Sequence, residues 1–243
     1  MNVTAPIDTL PVAASVLAVC AHPDDESFGL GAVLTRFAVS GAAVSTLCFT
    51  HGEASTLGRS DRPLGEVRRE ELTAAAAVLG VGRVDLLDYP DGGLAGVPLE
   101  RLATDVAAAA REVGADLLVV FDVGGITGHP DHVRATEAAL EGAPLTPVIA
   151  WSLPYEVADE LNAEFSAGFV GRDAAGVDLR LEVDRSVQRR AIACHASQST
   201  DNPVLRRRLE LLGDAESLVW LRHPTGVASP DGVPGDPAGA PTR

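Results

Sequence analysis

Two short segments concentrate the side chains able to do chemistry: Ala21-His22-Pro23-Asp24-Asp25-Glu26 and Gly128-His129-Pro130-Asp131-His132. Imidazole and carboxylate together suit a borderline cation such as Zn2+. A second carboxylate beside a ligand can serve as general base toward water activated by that cation. Each proline biases the histidine before it away from helical backbone, so both segments read as turns. Taken alone, the acids of the first segment are equally well explained as caps on the following helix. The second His-Pro-Asp segment shifts that balance. With His129 and His132 at i and i+3, one ring can bind a metal while the other stays beside it as a neutral or charged partner.

The surrounding elements must bring the two segments together. Short β-branched apolar runs alternate with alanine-rich helical stretches, the pattern of βα units on a parallel sheet. Strands are predicted at 15–21, 43–50, 83–88, 116–121 and 147–153, and helices at 29–40, 66–79, 99–113 and 131–141. The two His-Pro-Asp segments then follow the first and fourth strands. In a doubly wound sheet those strands can be neighbours, and ligands sit outside the carboxyl ends of such strands. Gly29 and Gly31 do not complete a dinucleotide fingerprint, because His-Pro-Asp-Asp fills the first turn. Beyond Tyr155 the pattern changes to a half-exposed strand at 178–184, helices at 186–197 and 203–212, and a last strand at 217–222. The expected architecture is α/β and Rossmann-like: a mostly parallel sheet with helices on both faces and a small C-terminal extension. One domain is expected over 1–223, followed by a flexible Pro/Gly-rich tail over 224–243.

Composition removes whole classes of function. The chain has 243 residues, 34 acidic against 19 basic, and a net charge of −15. Nucleic acid and anionic membrane are poor partners for such a surface. Every basic residue is arginine, so Schiff-base and Walker-lysine chemistry are absent. Cys20, Cys48 and Cys194 are odd in number and lack CxxC spacing, which fits a reducing compartment and offers no thiolate metal site. The apolar run at 10–21 has no basic stretch before it and reads as a buried strand rather than a signal peptide, so a cytoplasmic protein is expected. No run is apolar for long enough to span a membrane.

The sequence resembles the PIG-L/LmbE-like zinc-dependent de-N-acetylases. The resemblance rests on the AHPDDE motif at 21–26 and the HPDH motif at 129–132. Softer matches are Thr50-His51-Gly52-Glu53, Arg68 with Glu71-Leu72, Tyr89-Pro90-Asp91-Gly92-Gly93-Leu94, and His195-Ala196-Ser197-Gln198. It implies one Zn2+ per chain held by His22, Asp25 and His132, with another divalent metal able to replace it. It also implies Asp24 as general base. His129 would stabilise the oxyanion as imidazolium or pass a proton to the departing amine. The implied substrate is a small N-acetylated amino sugar or sugar conjugate, with no nucleic acid or membrane partner and with a homo-oligomer left open. The alternative is a non-sugar amide such as a thiol conjugate or a secondary-metabolite intermediate. Some members carry Tyr where this chain has Thr127, so a phenol role is not implied here.

Three further residues are candidates for substrate binding. The resemblance suggests Arg68 as a contact to a sugar hydroxyl or anion, although an Arg68–Glu71 surface pair explains it equally well. Asp91, after the third strand, points toward the same crevice, while its turn context alone also favours Asp. His195 could face the pocket or merely oppose a helix dipole. Glu26 is expected to support the metal shell by hydrogen bonding. Arg206-Arg207-Arg208 reads as a solvated helix face.

Overall fold

The computed structural model describes residues 9–58 and 60–224. The chain runs β1 (Ser15–Cys20), α1 (Asp25–Phe28), α2 (Gly31–Val39), β2 (Ala43–Thr50), α3 (Leu64–Leu79), β3 (Val81–Tyr89), α4 (Leu99–Val113) and β4 (Leu117–Phe121). It continues through a distorted turn, α5 (Gly125–Gly128), then α6 (Pro130–Gly142), β5 (Val148–Pro154), α7 (Tyr155–Phe165), β6 (Gly171–Arg172) and β7 (Leu179–Glu182). Helices α8 (Ser186–Cys194), α9 (Ala196–Ser199) and α10 (Pro203–Leu212) lead to the last strand, β8 (Ala215–Arg222). The tail expected from 224 onward lies, apart from Pro224, outside the described residues.

Strand order is β3-β2-β1-β4-β5-β8-β7, with β6 paired to β5 beside this path. The pairs from β3 to β5 are parallel, and β8 is antiparallel to both β5 and β7. The C-terminal extension therefore completes the sheet instead of hanging from it. On β1 the residues alternate between two cores. Val16, Ala18 and Cys20 face a layer including Phe37 of α2 and Leu72 of α3, while Leu17 and Val19 face Leu102 and Val106 of α4 and Ala138 of α6. That period of two is what a strand buried on both faces requires. On β7 Leu181 is buried while Arg180 and Glu182 are exposed, a charged outer face suited to a sheet edge.

The chain turns to opposite sides of β1, toward β2 and toward β4. The crevice above their carboxyl ends is the switch point of the sheet. No helix among the described residues is long and apolar enough to cross a membrane.

Two departures from the predicted elements bear on the site. Helix α7 carried no clear sequence signal. Its Asn162 exchanges two hydrogen bonds with the backbone of Phe169, at 2.7 and 2.8 Å, and so fixes that ring at the cavity. The single helix expected over 186–197 breaks at His195, whose ψ of 55° ends α8 before α9 begins.

Candidate metal centre and active site

The first His-Pro-Asp-Asp turn hangs on Asp25. Its Oδ2 accepts from the backbone N–H groups of Ala21 and His22, both at 2.9 Å, tying the start of α1 back onto the end of β1. Its Oδ1 lies 3.2 Å from His132 Nε2. Burial by itself would raise the Asp25 pKa, but His132 and His22 hold it well below the carboxylate range.

The histidine tautomers follow from their partners. His132 Nδ1 donates to the Gly125 carbonyl at 3.1 Å, leaving the Nε2 lone pair for the site. His22 Nε2 faces Asp91 Oδ1 at 3.0 Å and Asp131 Oδ2 at 3.3 Å, which makes Nε2 the donor and leaves Nδ1 on the site side. His22 Nδ1 and His132 Nε2 are 3.2 Å apart. Two nitrogen lone pairs at that distance repel unless a proton or a cation lies between them. Donors each bound at about 2.0–2.1 Å to one tetrahedral ion stand about 3.4 Å apart. The donor set therefore fits a divalent cation. The ring nitrogens of His22, His129 and His132 also lie within 4.8 Å of one another, as do ligand atoms of His22, Asp91 and Asp131. The bonding just described gives those acids a different task, which is orienting the His22 ring.

Asp131 is that orienter, and its carboxylate was not singled out by sequence reasoning. It is fully buried and also accepts from Gly92 N at 2.8 Å and Leu94 N at 3.0 Å. The Tyr89-to-Leu94 stretch is thus bolted to the second His-Pro-Asp turn. Asp91, expected at the substrate, spends Oδ1 on His22 and Oδ2 on the Ala54 N–H at 2.8 Å. With burial opposing, the His22 hydrogen bond still lowers its pKa. Burial likewise opposes charge on His22, yet Asp131 and Asp91 raise the ring to about 10 when no cation is bound.

Asp24 lies beside the donor set in a conformation rare for a non-glycine residue, φ 121°. Two groups hold it there. Its N–H donates to Glu26 Oε2 at 2.9 Å, and Arg68 Nη2 donates to its Oδ2 at 2.9 Å. Burial lifts its carboxyl to about 6, against the pull of Arg68. Arg68 is itself buried, 3% exposed, and also bonds the carbonyls of Gly52 and Pro23. It is neither a surface pair with Glu71 nor free for a sugar. Gly52 makes this possible, since it adopts φ 64° and a Cβ there would lie 2.0 Å from Arg68 Nη1.

His195 does not reach the cavity. It is fully buried, with Nε2 2.7 Å from Glu26 Oε1. Burial disfavours its charge, but Glu26 outweighs this and raises its pKa. The helix break at His195 brings three neighbours to three anchors. His195 meets Glu26, Ser197 donates through N and Oγ to Glu71 at 2.8 and 2.7 Å, and Gln198 accepts from Ser55 Oγ at 2.7 Å.

His129 flanks the donor set, its ring centroid 4.8 Å from that of His132 and 4.9 Å from that of His22. Its Nδ1 accepts from the Asp131 N–H at 3.2 Å, so the neutral ring carries its proton on Nε2. Burial, with His132 and His22 adding to it, lowers its pKa. The geometry thus favours a neutral donor where the sequence expectation included an imidazolium. These groups open onto a cavity of about 520 Å³ whose walls include Phe121, Ile126, Thr127, Phe169, Gln198 and Arg208. Phe121 and Phe169 gave no local motif by which their role could be read, whereas Gln198 belongs to the His195-Ala196-Ser197-Gln198 match.

The family profile described as GlcNAc-PI de-N-acetylase, PIG-L, matches residues 17–143, a stretch that contains both His-Pro-Asp motifs. The chain belongs to the PIG-L family. A 1D-myo-inositol 2-acetamido-2-deoxy-alpha-D-glucopyranoside deacetylase of Thermobispora bispora is 30% identical over 215 residues, 76% of this chain and 71% of that protein. The enzyme of the same name from Kineococcus radiotolerans is 36% identical over 159 residues, 51% of this chain. That match spans only 43% of the Kineococcus protein's length. Among solved structures, the N,N'-diacetylchitobiose deacetylase from Pyrococcus horikoshii is similar in fold to this chain. Its TM-score is 0.63 at 23% identity, covering 86% of this chain and 84% of that one.

Proposed function

We propose that this PIG-L chain is a zinc-dependent N-deacetylase that removes the acetyl group from an N-acetylated amino sugar conjugate. The observation that carries the reading is the facing of His22 Nδ1, His132 Nε2 and Asp25 Oδ1 beside the Asp24 carboxyl. His22, Asp25 and His132 are the proposed ligands. A divalent cation there supplies Lewis acidity toward the amide carbonyl and makes water a better nucleophile. Asp24, with its pKa near 6 and its carboxyl steadied by Arg68, takes the proton of the attacking water. His129 donates from Nε2 to the oxygen that becomes negative in the tetrahedral state. Asp24 then returns its proton to the leaving nitrogen, and the products are the free amine and acetate. A cavity of about 520 Å³ is of the size that takes a hexosamine with a substituent. The family match and the named activities of the Thermobispora and Kineococcus relatives support the same substrate class.

The test measures primary amine released from a panel of N-acetylglucosamine conjugates and non-sugar acetamides by the zinc-loaded chain. Chelation is expected to abolish release, and Asp24→Asn to lower it by about 10²–10⁴-fold while zinc stays bound. Amine release that survives both treatments sinks the reading. Release confined to non-sugar acetamides keeps the chemistry and moves the substrate.

A further inference from the structure

Arg208 of α10 is on the wall of the active-site cavity, and the reaction outlined above does not use it. It lies outside the segment matched by the family profile. Its guanidinium carbon is 5.4 Å from the Trp151 ring centroid, and Nη2 donates to the Phe28 carbonyl at the end of α1 at 2.9 Å. The Nε is buried without a hydrogen-bond partner. Three other arginines, Arg68, Arg172 and Arg185, are neutralised by ion pairs with Asp24, Asp122 and Glu216, whereas Arg36 and Arg222, which bond only backbone carbonyls, do not line the cavity. Among the described residues no carboxylate pairs with Arg208. Burial costs it enough to draw its pKa down to about 10, so it still enters the cavity as a cation at neutral pH.

A half-buried guanidinium with no carboxylate in contact is costly to desolvate, and the more distant charges of Glu216, Asp24 and Asp25 offset only part of that cost. A planar guanidinium stacked on an aromatic ring is also well prepared to receive an oxyanion in its plane. Its place relative to the chemistry is fixed by two rings. Trp151 packs on Phe121 at 5.6 Å, and Phe121 packs on His132 at 4.9 Å between centroids. An anion at Arg208 would thus share the cavity with the reacting amide while an aromatic layer lies between the guanidinium and His132. Arg68, the other arginine among the described residues that line the cavity, is committed to Asp24 and two carbonyls.

We propose that Arg208 is an anion-recognition residue of this cavity, and that the substrate is an N-acyl amino sugar carrying an oxyanion substituent, either phosphate or carboxylate. The proposal rests on the deacetylase reading for the reaction and on Arg208 for the specificity.

The experiment compares kcat/KM of the zinc-loaded chain for N-acetylglucosamine, its 1-phosphate, its 6-phosphate and N-acetylmuramic acid. At least one acidic substrate is expected to exceed the neutral sugar by about tenfold or more, mainly through KM, as charge-assisted pairing allows. In Arg208→Gln that ratio is expected to collapse toward one, and in Arg208→Lys to survive in part. Because the ratio is taken within each variant, a general loss of folded enzyme cancels, and Arg208→Lys decides the matter if the Gln variant does not fold. The phosphate and carboxylate arms identify which oxyanion is read. Neutral sugar hydrolysed as well as every acidic one, or a ratio unchanged in Arg208→Gln, overturns the proposal and leaves Arg208 as a prop for the Phe28 carbonyl. No amine from any substrate would count instead against the deacetylase reading. Calorimetric binding of glucosamine 6-phosphate against glucosamine, in wild type and Arg208→Gln, then still decides the role of Arg208.

Discussion

His22 makes a different bond with each ring nitrogen, and that asymmetry sets the behaviour of the whole centre. Nε2 is committed to Asp131 and Asp91, and Nδ1 faces His132. With burial opposing and the two carboxylates prevailing, the metal-free ring is protonated up to a pH of about 10. A cation needs the Nδ1 lone pair, so its uptake must expel a proton. At pH 8, below the raised pKa, zinc binding to the chelated protein is expected to release about one proton, and apparent affinity should rise with pH. Calorimetry in buffers of different ionisation enthalpy reads that number. Heats independent of the buffer would mean that the metal-free ring is already neutral. His129, one turn before His132, has its pKa lowered, with burial the largest cause. Two rings of one centre, one from each His-Pro-Asp motif, are thus driven to opposite protonation states.

At the scale of elements, catalytic geometry depends on short turns held by side chains from distant parts of the chain. The strained Asp24 backbone costs about 1–3 kcal/mol and is offset by Glu26 in front and Arg68 behind. Arg68 comes from α3 and can approach only because residue 52 has no side chain. Gly52→Ala is expected to lower kcat by about 10²-fold, since a displacement near 1 Å at a catalytic group costs that much. It should also lower stability by about 1–2 kcal/mol from the left-handed backbone. Kinetics and urea melts measure the two effects separately. Unchanged kcat would show that Arg68 does not position Asp24. The Gly52 match was legible in the sequence as a motif, but its reason was not, because it lies in a contact with a residue sixteen positions away. The same holds for the element beginning at His195. A helix signal through 186–197 gave no hint that the chain would break there to bury an imidazole against Glu26.

Across the whole molecule, the switch point at β1 and β4 gathers Asp24, Asp25, Asp91 and Asp131 around one histidine in a chain of net charge −15. A divalent cation bound at the proposed ligands would relieve that crowding only in the folded state. Zinc at about a thousandfold over its Kd should add about 4 kcal/mol of stability, equivalent to a Tm rise of roughly 8–16 °C for a chain of this size. A thermal melt with zinc and with chelator checks this. Coincident melting curves would argue against a cation at these donors.

By itself the sequence determined the alternation of strands and helices, the strand ends that carry chemistry, and the two motifs that meet there. Those properties are local: hydrophobic period, turn residues and the spacing of imidazole and carboxylate are all written in neighbouring positions. Tertiary structure alone decided that Asp91 and Asp131 orient His22, that Arg68 and Glu26 brace Asp24, and that His195 lies behind the site. It also decided that Arg208, in a run that reads as solvated surface, enters the cavity over Trp151. Each of these depends on which distant side chain completes a hydrogen bond or fills a desolvated space. Pairings between residues up to 180 positions apart leave no periodic trace in the chain.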